Sequence, residues 1–168
     1  MSAEHLSQRD NWQTETGYNA TRNEKRTEKL LSETLETSQY KITKKPTIQV
    51  GNLKLKPELL IENLSNGNKL LIDDKLGENG GNAHERVYKY FTKKIERAGY
   101  IPLAVFSGKT FANPEPYNVW TKGKRVKVNP QKYKNEFREL LDEDQYIIME
   151  LDGSNRQQLV DLVKKLLS

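Results

Sequence analysis

Glu58, Asp73 and Lys75 are residues of the types, and at the spacing, that can hold a divalent cation against a phosphate. Pro57-Glu58 is followed, after fourteen residues, by Asp73-Asp74-Lys75. Two carboxylates bind a hard cation such as Mg²⁺ through oxygen and leave it several waters. The ion then lowers the pKa of a bound water and polarises a phosphoryl oxygen. A lysine beside it orients that water or stabilises developing negative charge as a compact cation. The same residues also suit an ordinary solvated hairpin, and spacing alone leaves both readings open.

A hairpin is the element that must bring the three together. Leu59-Leu60-Ile61 and Leu70-Leu71-Ile72 are short apolar runs, and Asn66-Gly67 between them is a strong two-residue turn signal. With 66 and 67 as the turn, cross-strand partners have numbers summing to 133, which sets Glu58 opposite Lys75 and Leu60 opposite Asp73. Side chains alternate along a strand, so Glu58, Asp73 and Lys75 share one face. Leu59, Ile61, Leu70 and Ile72 take the other and are available to a core. A slip of one residue would break the arrangement.

Next along the chain is Gly-Gly-Asn-Ala-His-Glu-Arg, Gly80 to Arg86. At about 100° per residue the continuation to Ala98 reads as one amphipathic helix. Ala83, Val87, Tyr90, Phe91, Ile95 and Ala98 form its apolar side. Asn82, Arg86, Lys89 and Lys93 form a polar stripe, with Glu85 and Glu96 beside it. The glycine pair permits close backbone approach and offers free N–H groups to a phosphate. Asn82 followed by Glu85 also fits a capping box, which accounts for those two residues without any ligand. It does not account for Arg86 or the glycines. His84 is expected on the helix surface, outside catalysis.

Gly81–Arg86 resembles the Gly-Asn-Ala-x-Glu-Arg recognition segment of the EcoRI/MunI group of type II restriction endonucleases, within the PD-(D/E)xK nuclease superfamily. All five specified positions are matched, just downstream of a suitable metal motif. A weaker likeness continues through Val105-Phe106-Ser107-Gly108. The resemblance implies a Mg²⁺-dependent endonuclease cutting double-stranded DNA within a short palindrome, its AATT core read by this segment. Carried over by position, Glu58, Asp73 and Lys75 are catalytic, with Glu58 and Asp73 the metal ligands. Gly81, Asn82, Ala83, Glu85 and Arg86 are the DNA readers, and Lys89 on the same stripe joins them. Two positions depart from the group's habit, Glu58 standing where Asp is usual and Asp73 where Glu is usual. Such a long–short pair is compatible with chelation and equally with a weakened enzyme.

Composition restricts the chemistry further. The chain has 168 residues, 35% of them hydrophobic and 30% charged, enough for one folded domain. Its net charge of +5 suits a polyanionic partner. No cysteine is present, and His5 and His84 are the only histidines, which excludes disulfides, thiol nucleophiles and His- or Cys-rich metal centres. No apolar run reaches membrane-spanning length and no signal-peptide core follows Met1, so the expected location is the cytoplasm, without membrane association.

The expected layout is a polar N-terminal arm over 1–22, carrying Trp12 and Tyr18, and a single nuclease domain over 23–168. Within the domain, helices are expected over 23–38, 82–98, 131–141 and 154–167. An extended stretch is expected over 40–50, the hairpin over 57–75, and strands over 101–106 and 145–150. This order gives an α/β fold, a mixed central sheet flanked by helices, consistent with the restriction-endonuclease-like fold that the resemblance implies. Between Ser107 and Pro130 lies a long segment containing Lys122, Lys124, Arg125 and Lys127. The alternation Arg125-Val126-Lys127-Val128 reads as a short ribbon with one basic face. Either it contacts DNA phosphates and outer base pairs, or it is a lysine-protected edge. A palindromic target calls for a homodimer, because two-fold symmetry in the DNA is matched by two-fold symmetry in the protein. The alternatives are a DNA-binding protein that retains the nuclease fold without cutting, and a repair or structure-specific nuclease.

Overall fold

Every fourth residue of the first helical stretch is buried, from Asn23 through Thr27 and Leu31 to Leu35. That spacing is one face of helix α1, Ala20–Thr34, in a computed structural model that describes residues 20–78 and 82–168. The last residues of the expected arm are therefore already helical, and the remainder, 1–19, lies outside the described residues.

Strands β1 (Tyr40–Lys44), β4 (Leu59–Asn63), β5 (Lys69–Leu76), β6 (Tyr100–Ser107) and β9 (Tyr146–Ile148) form a sheet in the order β1-β4-β5-β6-β9. The pairs β1–β4 and β4–β5 are antiparallel, while β5–β6 and β6–β9 are parallel. The sheet is mixed, as expected. Strands β2 (Ile48–Val50) and β3 (Leu53–Leu55) make a separate small hairpin, so the extended stretch over 40–50 is divided between two sheets at Lys45, whose φ is 43°. Pro102 is tolerated in β6 because β9 pairs only with Ala104–Phe106, leaving the start of the strand open on that side.

Even-numbered Leu70 and Ile72 of β5, with Leu59 and Ile61 of β4, pack against Leu31 and Leu35 on one side of the sheet. Leu159, Val160, Val163 and Leu167 of the closing helix α5 (Arg156–Leu167) complete that layer. The other side is covered by helical segments C-terminal to β5. These are a 3₁₀ helix over Ala83–Tyr90, the short α2 (Lys93–Arg97), α3 (Lys109–Ala112) and α4 (Pro130–Leu140). Two apolar clusters form there, Leu71 with Tyr90 and Ile95, and Phe106 with Val87, Phe111 and Phe137. Phe106 stacks on Phe137 at 3.9 Å between ring centroids.

The hairpin has the expected faces and a different register. Leu59 pairs with Ile72 and Leu60 with Leu71, so partners sum to 131 rather than 133. The connection is a four-residue loop over 64–67, closed by Asn63 N–H to the Asn68 carbonyl, with Gly67 at φ 78°. Helix α5 selects this loop, because the side-chain amides of Asn63, Asn66 and Asn68 all donate to the Leu167 carbonyl. These bonds satisfy a helix-end acceptor that has no intrahelical partner. A shift of two residues preserves parity. The shared face survives, but Glu58 moves from opposite Lys75 to opposite Asp73.

The continuous helix over 82–98 is also corrected. Thr92 breaks it, and its side chain accepts from Ile95 N–H to start α2. In the 3₁₀ part three residues make a turn, so His84, Val87 and Tyr90 are the buried face. Ala83 and Ala98, assigned by α-helical counting to the apolar side, are exposed. His84, expected at the surface, is 4% exposed.

Candidate active site

β4 and β5 carry the three candidate catalytic residues to one end of the sheet. Continuing the β4–β5 register places Glu58 opposite Asp73, and Glu58 N–H donates to the Ile72 carbonyl at 2.9 Å. Lys75 lies two residues on from Asp73 and its Nζ is 3.1 Å from Asp73 Oδ2. Glu58 and Asp73 are 7% and 8% exposed. Burial, and then the neighbouring Glu24 carboxylate, push the Glu58 carboxyl up to about 7, with Lys45 opposing and Asp73 adding to the rise. Burial raises Asp73 as well, against the pull of Lys75 and Lys89.

Two participants carry no local signal in the sequence. Glu24 on α1 forms a hydrogen bond with Glu58, and Lys45 donates its backbone N–H to the Glu58 carbonyl at 2.8 Å. Lys45 Nζ and Glu24 Oε2 are 3.9 Å apart. Asp74 points to the opposite side of the sheet. Thr27 Oγ1 donates to its Oδ1 at 3.0 Å, and complete burial holds its carboxyl well above the usual range. Asp74 thus belongs to the α1 packing layer.

The donor set fits a hard cation on chemical grounds. Two carboxylates, with a third beside them, are held where water is scarce, and burial first of all raises the proton affinity of both Glu58 and Asp73, a cost that a bound cation would offset. Among the described residues no group of three or more His, Asp or Glu side chains is arranged to ligate a metal. Glu58 and Asp73 would hold such an ion with waters completing its shell, as Mg²⁺ commonly does.

The ends of β5 and β6 are locked beside this site. Gly77 N–H donates to the Ser107 carbonyl, and the Gly77 carbonyl accepts from Thr110 N–H. Gly108 has φ 102°, and a Cβ there would lie 2.0 Å from the Gly77 oxygen. Only glycine fits such a contact.

The expected readers lie beyond this lock. Asn82, Ala83, Glu85, Arg86 and Lys89 are all exposed. The first four line an open depression of ≈ 460 Å³. The capping-box alternative is not realised, since Asn82 makes no side-chain cap hydrogen bond. Gly81, and Gly80 before it, lie outside the described residues. Lys89 also lies close enough to Asp73 to oppose the rise that burial causes there, which couples the Asn82–Tyr90 segment electrostatically to the acid pair.

His84 secures the Asn82–Tyr90 segment from beneath. Its Nε2 is 2.8 Å from Glu136 Oε2 on α4, and its ring lies edge-on to Tyr88, Phe111, Tyr133 and Phe137. Burial, and then the nearness of the same Glu136 carboxylate, raise the Tyr88 hydroxyl above its ordinary range.

The segment expected to be a long loop contains α3 and a hairpin of β7 (Tyr117–Thr121) and β8 (Lys124–Val128). Its tip is Lys122-Gly123, both at positive φ, the geometry that two-residue hairpins favour. Arg125 pairs with Trp120 and Lys127 with Asn118, placing both cations on one face as expected. Lys124 falls on the other face and Lys122 at the tip; all four are exposed.

Fold and sequence together define a protein similar to the type II restriction endonucleases, with the mixed sheet of that class. Residues 1–67 match the family model described as type II restriction enzyme MunI. A solved structure, that of MunI restriction endonuclease in complex with cognate DNA, superposes over 87% of this chain and 98% of that chain. Its TM-score is 0.50 and its sequence identity 17%. No curated protein matches in sequence. The family match lies wholly N-terminal to the Gly81–Arg86 motif, so the likeness to MunI-type enzymes rests on two different stretches of sequence as well as on the fold.

Proposed function

We propose that the protein is a Mg²⁺-dependent, homodimeric endonuclease that hydrolyses double-stranded DNA within a short palindrome containing AATT. The observation that carries this reading is one juxtaposition. An acid pair, Glu58 and Asp73, has Lys75 at 3.1 Å from Asp73, and an exposed Asn82–Arg86 depression follows on the same connection. Glu58 and Asp73 hold the metal, which when bound supplies Lewis acidity and a water of lowered pKa. Lys75 stabilises charge on the phosphate or orients that water. Asn82, Ala83, Glu85 and Arg86 meet base edges, with Gly81 allowing close approach. Arginine pairs bidentately with guanine, asparagine with adenine, and glutamate accepts from cytosine. Lys89, Lys122, Lys124, Arg125 and Lys127 meet phosphates.

The MunI structure was determined with its cognate DNA, which supports duplex DNA as the ligand of this similar fold. No helix among the described residues is long and apolar enough to cross a membrane. The proposal includes a polar arm ahead of α1, a single nuclease domain from α1 onward in place of the expected boundary at 22/23, and a cytoplasmic location. Plasmid DNA incubated with the protein and Mg²⁺ should give discrete fragments that EDTA abolishes. A smear indicates cutting without sequence preference. Intact plasmid, together with a mobility shift on AATT-containing duplex, selects the second reading, a DNA-binding protein that no longer cuts. The exchange of the group's usual acids, Glu58 for Asp and Asp73 for Glu, is what favours that second reading.

A further inference from the structure

We propose that Trp120 is a direct DNA contact, presented by the β7–β8 hairpin as an arm that enters a groove of the duplex beside the active site. The inference rests on the DNA-binding reading above and extends it to a residue whose chemistry is apolar.

The hairpin has two faces with different roles. Tyr117, Val119, Val126 and Val128 share one, and its root is packed, Val128 being 5% exposed. Trp120 is on the other, with Asn118, Arg125 and Lys127, and is 76% exposed. The apolar requirement of the ribbon is met without it. A large aromatic displayed outward between cations is suited to a partner that offers both negative charge and an apolar surface.

Charge and placement select the partner. Residues 116–135 contain six Lys or Arg and no Asp or Glu. The root is tied to the active-site strand, because the Tyr117 hydroxyl donates to the Glu78 carbonyl at 2.9 Å, just past β5. The other end runs into α4, whose Glu136 holds His84 in the reader. Both roots thus attach to elements that flank the Asn82–Arg86 depression, so DNA lying there passes the arm. A two-stranded ribbon fits the major groove, where thymine methyls and sugars offer apolar contacts. In that setting Arg125 and Lys127 take phosphates while Trp120 packs against bases or sugars.

The chain has two tryptophans, Trp12 and Trp120. Biosynthetic 5-fluorotryptophan therefore gives two ¹⁹F resonances, assigned with Trp12→Phe. In Ca²⁺, which avoids cleavage, a short duplex with a central AATT should shift the Trp120 resonance and remove its H₂O/D₂O isotope shift, while heparin should not. Trp120→Ala should weaken duplex binding about tenfold, within the range of aromatic–base contacts. Trp120→Phe should restore most of the loss. The salt dependence should not change, because no phosphate contact is removed. The inference is overturned if the duplex binds, by mobility shift, while the Trp120 resonance stays solvent-exposed. A response to protein concentration alone, pointing to a second copy, or to anionic vesicles alone also overturns it. Failure of the intact protein to bind any duplex overturns the DNA-binding reading itself, a result distinct from duplex binding without a Trp120 response.

Discussion

Replacing His84 with alanine empties the centre of a ring of aromatics and cuts the Asn82–Tyr90 segment loose from α4. The imidazole is 4% exposed, with ring centroids 5.2 Å from Tyr133, 6.1 Å from both Phe111 and Phe137, and 6.3 Å from Tyr88. Loss of so much buried packing costs about 2 kcal/mol, the low end for a large-to-alanine change because the ring is small. The 2.8 Å bond to Glu136 adds about 1 kcal/mol. That second figure stays low because the Glu136 side chain is 36% exposed and is rehydrated when its partner goes. The sum, about 3 kcal/mol, lowers the melting temperature by roughly 6–12 °C for a chain of this size. His84→Phe keeps an apolar ring and loses only the bond, so its loss should be about a third as large. Calorimetry on both variants gives the comparison. Cognate over non-cognate binding should fall in both, because Asn82, Glu85 and Arg86 sit on the segment that His84 anchors. Equal losses for the two variants, or a melting change under about 2 °C for His84→Ala, would refute the division between packing and bonding.

Lys75→Ala should abolish cleavage while leaving duplex binding in Ca²⁺ within about twofold, since its cation lies 3.1 Å from Asp73 and on the proposed role meets the phosphate rather than a base; joint loss of cleavage and binding, with the fold intact, argues against that role. Asp73→Ala should likewise stop Mg²⁺-supported cleavage, and wild-type rates in that variant would place the metal elsewhere. Glu58→Asp should retain partial cleavage where Glu58→Ala does not. If Glu58→Asp instead activates an inert parent protein, the chain is a DNA binder that has lost its metal site. Gly108→Ala should be severely destabilising, because its Cβ meets a backbone oxygen at 2.0 Å, and soluble folded protein with an unchanged melting point would contradict this. Lys127→Ala should reduce the log–log salt slope of duplex binding by about 0.9, and an unchanged slope would place Lys127 off the DNA.

The sequence by itself determined what local chemistry and periodicity can fix. Alternation in Leu59–Glu62 and Leu70–Lys75 was enough to put Glu58, Asp73 and Lys75 on one face, because parity survives a two-residue error in register. Asn82, Glu85 and Arg86 were legible as a motif, and the basic ribbon at 125–128 was legible from alternation alone. Tertiary contacts decided the rest. Three asparagine amides bound to the end of α5 chose a four-residue loop over the Asn66-Gly67 turn, and that choice set Glu58 against Asp73. Glu24 and Lys45 reach the acid pair from segments that the chain brings together only when the sheet forms. A 3₁₀ turn in place of an α turn rotated the buried face from Ala83 onto His84, and Glu136, fifty-two residues away, gave that imidazole a partner inside the protein. Local pattern reports which side of an element is apolar; the partner, the register and the helical pitch depend on energies summed over contacts far apart in the chain.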